Sequence, residues 1–171
     1  MIIAIADQCG TCGAAIGASL AQLRVRSARK VLLVGADKTH RPAPGGRSLS
    51  AELEHLVTRY DDIVIDTDGL DTPGRTALIA ARLAIVPIHA DEVDLERDYP
   101  LIARLNAARM FNPGLRVLFV AAAGQADPSA AEMLRIRTYV AQVMAATLFA
   151  TVIHQHGAAD IAALYDTVFA T

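Results

Sequence analysis

The chain has 171 residues and a formal net charge of −2, and this length favours one domain with a sizeable core. Hydrophobic residues make up 53% of the sequence, aromatic residues only 5%, and Trp is absent. An aliphatic core of this kind is typical of a parallel sheet covered by helices on both faces. The charge gives no global attraction to nucleic acid or anionic membrane, and no apolar run is long enough to span a bilayer.

Along the chain, short apolar runs alternate with helical patterns. The apolar runs predict strands at Met1–Ala6, Val31–Ala36, Ile63–Ile65, Leu83–Ile88, Leu115–Ala121 and Leu148–Ile153. The helical patterns predict helices at Ala14–Leu23, from Ser48 or Ser50 to about Arg59, at Thr72–Ala81, within Val93–Phe111, at Pro128–Val143 and at Ala158–Phe169. Prolines and glycines predict a mobile loop over about residues 38–50. The alternation predicts a single α/β domain, 1–171, with a mostly parallel sheet.

In such sheets, ligands bind beyond the carboxyl ends of the strands. Three polar segments of this sequence follow strands: the loop Asp7–Gly13, Asp37 and Asp66. The loop is placed between a strand and a helix start, where backbone N–H groups and the helix dipole attract phosphate. We therefore expect the three segments to meet at one edge of the sheet and to form the binding site.

Six segments in this order resemble the ParA/MinD family of partition and positioning ATPases, a branch of the P-loop NTPases. They are ADQCGTCGAAIGASLAQL, KVLLVGAD, YDDIVIDTDG, ARLAIVPIHADEVDLERDYPLIARL, NPGLRVLFV and LYDTVFA, and the resemblance covers nearly the whole chain. It implies a three-layer P-loop NTPase-like domain, with ATP or ADP and Mg²⁺ as cofactors. It also implies a function in plasmid or chromosome segregation or in intracellular positioning.

The departures from the family lie in the phosphate loop, whose family form is K-G-G-x-G-K-T-T. By resemblance, the cofactor-binding loop comprises Cys9, Gly10, Thr11, Cys12, Gly13, Ala14 and Ala15. The lysine that reaches across the family's dimer falls on Cys9, the lysine that contacts the β- and γ-phosphates on Ala14, and the hydroxyl that holds Mg²⁺ on Ala15. Asp37 resembles the residue that orients the attacking water, and Asp66 resembles the one that binds the metal through water.

A methyl group neither donates a hydrogen bond nor coordinates a metal ion. Each lost charge-assisted contact costs roughly 1.5–3 kcal/mol of binding, so we expect weak ATP binding and hydrolysis near background. The sequence thus predicts a ParA-like protein with an impaired nucleotide site that acts as a scaffold or regulatory partner. The alternative is an active ATPase whose phosphate contacts come from Lys38, Arg41 or Arg47.

The two cysteines form a C-x-x-C at a strand-to-helix turn, which allows a third interpretation. A helix N-terminus lowers the pKa of a thiol, as in redox motifs. A tetrahedral metal site would need two ligands besides Cys9 and Cys12, and His154 and His156 could supply them. The simpler interpretation is two small residues in a loop that has lost its phosphate contacts.

The resemblance implies partners as well. We expect a homodimer, or a heterodimer with an intact family member, and a DNA-binding adaptor protein. Direct DNA binding would use exposed arginines and lysines, namely Arg24, Arg26, Arg29, Lys30, Arg135 and Arg137. Scattered helix charges of this kind more commonly serve solubility, so we do not favour direct binding. Without a secretory signal pattern or a disulfide framework, we expect a cytoplasmic protein that does not bind membranes.

Overall fold

The computed structural model describes residues 1–8, 12–35, 49–89, 93–124, 126–154 and 157–170. Seven strands in these residues form one sheet: β1 (Ile2–Ala6), β2 (Val31–Val34), β3 (Asp62–Thr67), β4 (Leu83–His89), β5 (Arg116–Ala123), β6 (Thr147–Leu148) and β7 (Ile153–His154). Six helices accompany them: α1 (Cys12–Arg26), α2 (Leu49–Leu56), α3 (Thr72–Ala80), α4 (Leu95–Phe111), α5 (Ala130–Val140) and α6 (Ala158–Phe169). The predicted alternation of strands and helices is confirmed.

The strand order is β2-β3-β1-β4-β5-β6, and β7 also pairs with β5. Every pairing in the described residues is parallel. The chain first extends the sheet from β1 towards β2 and then crosses back to β4, so its direction reverses around β1. In open α/β sheets the crevice at such a reversal, beyond the carboxyl ends of the strands, is where ligands bind.

Two core clusters lie on opposite faces of the sheet. One contains Ile3 and Ile5 of β1 together with buried residues of α1 and α6. The other contains Ala4 and Ala6 of β1 together with buried residues of α2, α3, α4 and α5. Because successive side chains of a strand point to opposite faces, β1 contributes to both clusters and is buried on both sides. The predicted helical layers on both faces are therefore confirmed.

Some predicted boundaries need correction. The third strand is longer than the predicted Ile63–Ile65, and the single strand predicted at Leu148–Ile153 is two short strands that pair with different parts of β5. Helix α2 already begins at Leu49, so residues 49–50 are helical rather than part of the predicted loop, and Ser50 does not cap the helix. The rest of that loop, with Lys38, Arg41 and Arg47, lies outside the described residues.

At the amino end of the sheet, Asp62 is only 2% exposed and organises an ionic cluster. Its carboxylate accepts a hydrogen bond from Arg24 Nε at 2.7 Å and lies 3.2 Å from the amino group of Met1. Burial alone would raise the pKa of Asp62, but hydrogen bonds from Arg24 and Met1 outweigh burial and lower it. The cluster connects α1 to β3 at the edge of the sheet opposite the predicted site.

None of the described helices is long and apolar enough to cross a membrane.

Candidate functional site

The turn that follows β1 is closed by an acidic side chain. Asp7 is 4% exposed, and its backbone N–H donates to the carbonyl of Thr67 at 2.9 Å. Its carboxylate Oδ2 accepts a hydrogen bond from the backbone N–H of Gly13, at 2.5 Å. Gly13 is the second residue of α1 and belongs to the first turn, whose free N–H groups carry the positive end of the helix dipole. The chain thus places an anion of its own at the start of α1, and helix starts of this kind are favourable places for anions.

Gly13 is required here by close packing. A Cβ atom at this position would lie 2.5 Å from Asp7 Cβ and 3.0 Å from Ile5 Cγ2. No real Cβ makes contacts this short with buried neighbours, so the start of α1 can rest on the end of β1 only where residue 13 has no side chain. The glycine that the phosphate-loop pattern retains therefore has a structural reason that does not depend on phosphate.

A second carboxylate lies on the neighbouring strand. Asp66 of β3 pairs in register with Ile5, so it lies beside the end of β1 and is half-buried. Burial and then the negative charge of Asp7 raise the pKa of Asp66. The next residue, Thr67, accepts the N–H of Gly69 with its hydroxyl at 3.2 Å. The described part of this edge therefore holds two mutually repelling carboxylates.

The predicted cofactor-binding residues are only partly described. Cys12 is the first residue of α1 and is partly exposed, Gly13 is buried, and Ala14 and Ala15 are exposed. Cys9, Gly10 and Thr11 lie outside the described residues, and so does Asp37, which follows Gly35 after β2. The expected meeting of the loop with Asp66 can thus be seen for Asp7 and Gly13, while the place of Asp37 stays a prediction.

An open groove of about 820 Å³ lies between α1 and α6, above the ends of β5 and β7. One wall is formed by Cys12, Ala15 and Ser19, and the other by Ala158 and Ile161. This volume is within the range of small-molecule sites. Ala15, on which the family's Mg²⁺-binding hydroxyl falls by resemblance, contributes a methyl group to the first wall.

His154 lies in the same groove and is already held by two carboxylates. Its Nδ1 is 3.0 Å from Asp160 Oδ2 and its Nε2 is 3.1 Å from Asp127 Oδ1. The hydrogen bond with Asp160 and the one with Asp127 raise the pKa of His154 despite some desolvation. Because both ring nitrogens are engaged, His154 is a poor partner for Cys9 and Cys12 in the metal site considered from the sequence. His156 lies outside the described residues, and no group of three or more His, Cys, Asp or Glu among the described residues could hold a metal ion.

The sequence placed Asp7 in the expected binding loop Asp7–Gly13 but assigned no contact or role to its side chain. The available signal was an acidic residue directly after a fully buried strand and six positions before a glycine that starts a helix. Acidic side chains at helix N-termini are favourable. That reasoning would have suggested Asp7 as a partner for α1, although not which N–H it accepts.

Comparisons with known proteins show which solved structures have a similar fold. No protein-family model and no curated sequence matches the chain. The structure is similar to cobyrinic acid a,c-diamide synthase from Mycobacterium smegmatis, with a TM-score of 0.73 and 18% identity over 98% of this chain and 92% of that chain. It is also similar to a plasmid partition protein from Borrelia burgdorferi, with a TM-score of 0.63 and 13% identity over 99% and 97% of the two chains. McdA from Cyanthece, solved in its apo form, has a TM-score of 0.63 and 13% identity over 96% and 90%. At these identities the comparisons show that the chain shares the α/β fold of these proteins.

Proposed function

We propose that this chain is a ParA-like partition or positioning protein whose nucleotide site is impaired, and that it acts as a scaffold or regulatory partner. Its fold is shared by a synthase and by partition proteins, so the fold alone does not select a function. The ordered sequence segments favour the partition family. The observation that carries the proposed impairment is the Asp7 carboxylate on the N–H of Gly13, at the start of a helix followed by Ala14 and Ala15.

Electrostatics give the physical reason. A triphosphate at the start of α1 would meet the fixed charge of Asp7, with Asp66 close by. Two like charges about 4 Å apart repel by about 4 kcal/mol at an effective dielectric constant near 20. The lysine that would offset this repulsion is replaced by Ala14. The loop therefore lacks the lysine's attraction for phosphate, and Asp7 adds a repulsion.

The test is calorimetry with ATP and Mg²⁺ on four proteins. We expect no measurable binding by the wild type. A restored loop, Cys9→Lys with Ala14→Lys and Ala15→Thr, should bind weakly, and adding Asp7→Asn to it should tighten binding at least about tenfold because the competing charge is removed. The control adds Asp7→Asn to Ala18→Lys, which puts the same cation one turn further along α1 and should not bind.

The main alternative is an active ATPase with unorthodox phosphate contacts. The synthase with this fold was solved with a bound ATP analog and magnesium, which shows that the fold can hold both in that protein. ATP turnover by the wild type that is abolished by Asp37→Ala would establish this alternative and refute the impairment. Tight ATP binding by the wild type that is unchanged by Asp7→Asn would also refute it.

The charges of Asp7 and Asp66 also affect which protein can bind at the loop edge. Two copies that met through the loop edge would bring together two pairs of carboxylates, Asp7 and Asp66 from each copy, and like charges across an interface are unfavourable. An intact relative, whose loop carries lysines, would complement this edge. We therefore expect heterodimerisation with an intact ParA-type ATPase through the loop edge, together with a DNA-binding adaptor. Sedimentation of the chain with such an ATPase, with and without ATP, tests this expectation, and no complex in either condition would contradict it.

A further inference from the structure

From Tyr99 to Phe111, helix α4 is apolar on its solvent side as well as on its buried side, while its first turn exposes Glu96 and Arg97. The buried side includes Leu101, Ile102 and Leu105. The opposite side exposes six residues that we call the outer stripe: Tyr99, Pro100, Ala103, Ala107, Met110 and Phe111. Tyr99 is 64% exposed, Met110 76% and Phe111 65%. A surface helix ordinarily presents charged residues to water, and a contiguous exposed apolar strip indicates a contact surface.

The charged residues in the second half of α4 do not interrupt the outer stripe. Arg104 uses its guanidinium to donate to the carbonyl of Leu70 at 2.9 Å, and Arg109 donates to the carbonyl of Leu115 at 2.7 Å. Both side chains are therefore drawn to the flanks of the helix, towards neighbouring segments. At 3.6 residues per turn, Tyr99 and Met110 lie on one line along the helix, three turns apart.

The residue types of the outer stripe are arranged symmetrically about the midpoint of the stripe. An aromatic residue stands at each end, Tyr99 at one and Phe111 at the other. A second apolar residue, Pro100 or Met110, lies next to each aromatic. Ala103 and Ala107 lie at the centre. A strip with this pattern is self-complementary when a second copy lies antiparallel to it, and two alanines at the centre let the helix axes approach closely.

Charges at the two ends agree with an antiparallel arrangement. The start of α4 carries Asp94 and Glu96 beside an ion pair between Arg97 and Asp98, so its net charge is negative. The guanidinium carbon of Arg75 lies 5.7 Å from the centroid of the Phe111 ring at the other end, and among the described residues no carboxylate is within ion-pair distance of it. Antiparallel packing puts the acidic start of one helix beside the Arg75 end of the other and opposes the two helix dipoles. Parallel packing would put like ends together.

We propose that a second copy of this chain covers the outer stripe, with the two α4 helices packed antiparallel about a two-fold axis that passes between Ala103 and Ala107. This contact needs no nucleotide and is separate from the loop edge. It makes the protein a constitutive homodimer with two free loop edges. Aromatic residues, Met and Arg are enriched in such interfaces, as in this one.

The first test changes one central residue. Ala103→Glu places carboxylates near the axis of the contact, where like charges are costly, and should raise the dimer dissociation constant at least about 100-fold in analytical ultracentrifugation. The matched control is Ala162→Glu, the same change at an exposed alanine of α6, which should leave dimerisation unchanged. Equal melting temperatures of the monomeric fractions would show that both variants are folded. A wild type that stays monomeric at every concentration, or an Ala103→Glu variant that dimerises as well as the control, overturns the proposal.

The second test determines whether the two α4 helices pack antiparallel or parallel. In a background with Cys9→Ser and Cys12→Ser, chains with Ala103→Cys are mixed with chains with Ala107→Cys and oxidised. Antiparallel packing predicts disulfides between unlike chains in preference to like ones. A preference for like chains would indicate parallel packing and overturn the proposed axis. Binding of the monomer to anionic lipid vesicles that Ala103→Glu abolishes would overturn it in favour of a lipid surface.

Discussion

Replacement of Gly13 by alanine tests whether close packing at the start of α1 shapes the site. The added Cβ would lie 2.5 Å from Asp7 Cβ and 2.9 Å from Asp7 Oδ2. Both Asp7 and Ile5, the next neighbour at 3.0 Å, are at the buried end of β1. Asp7 Cβ is bonded to the backbone and Ile5 Cγ2 to a buried Cβ, so neither atom can move far. The start of α1 must therefore move away from the strand, and the hydrogen bond from the Gly13 N–H to Asp7 must lengthen or break.

The magnitude follows from three contributions. Overpacking costs about 1–3 kcal/mol, and loss of a hydrogen bond to a charged group costs about 1.5–3 kcal/mol. The higher helix propensity of alanine than of glycine stabilises the folded state by about 1 kcal/mol and offsets part of these costs. The expected loss in the free energy of unfolding is therefore about 1.5–5 kcal/mol. In a chain of this size, that lowers the melting temperature by about 3–20 °C.

Thermal denaturation followed by circular dichroism measures this loss, with two glycines as controls. Gly35→Ala has no atom within 4 Å of the added Cβ and should melt close to the wild type. Gly17→Ala meets the end of a flexible side chain, Ile5 Cδ1 at 2.9 Å, and should be affected less than Gly13→Ala. If Gly13→Ala melts at the same temperature as Gly35→Ala or above it, the close packing does not constrain the turn and the reasoning is wrong.

Three further predictions concern ionisable groups. Asp62→Asn leaves Arg24 without its buried partner and should cost about 2–4 kcal/mol at neutral pH; because the folded pKa of Asp62 is lowered, the wild type's advantage should vanish in urea titrations as pH falls through that pKa. His154→Ala should lose stability mainly at and below the ordinary histidine pKa, since the raised pKa of His154 means that its contribution disappears as pH rises through the folded value; a histidine pKa at or below the ordinary range in an NMR titration would contradict this. In Asp7→Asn, the pKa of Asp66 should move down towards its ordinary value, because burial remains but the neighbouring charge is gone; carboxyl NMR measures it, and an unchanged value would show that burial acts alone.

Much of the fold could be predicted because single segments carry their own signals. The apolar run at Leu83–Ile88 is too short for a helix and is buried on both faces, so its assignment as a strand needed no tertiary information. The two short strands near the end could not be resolved in the same way. Thr147–Leu148 and Ile153–His154 are each only two residues long, and they are defined by pairing with β5 rather than by their own pattern.

The site was less predictable because its key contact links two residues through a turn. The sequence places Asp7 at the end of the first strand and at the start of the predicted loop, but only the folded turn brings its carboxylate to the N–H of Gly13. The outer stripe was missed for a different reason. When both faces of a helix are apolar, as around Leu101 and Ala103, the hydrophobic periodicity is weak, and the sequence indicates a helix without indicating an uncovered face.

The two proposed contacts together constrain how such a protein could be regulated. In a dimer joined by nucleotide, ligand binding supplies the stability and can be switched by hydrolysis. No ligand contributes to the stability of a contact through the outer stripe. The fraction of dimer therefore depends only on protein concentration and on the affinity between the α4 helices. The loop edge would then associate only when an intact ATPase brings both the lysines and the nucleotide. Control of the assembly would lie entirely with the partner's nucleotide cycle, while the homodimer would hold two partners in a fixed relative position. This division predicts that ATP changes binding of the ATPase to the dimer and leaves the homodimer's own dissociation constant unchanged.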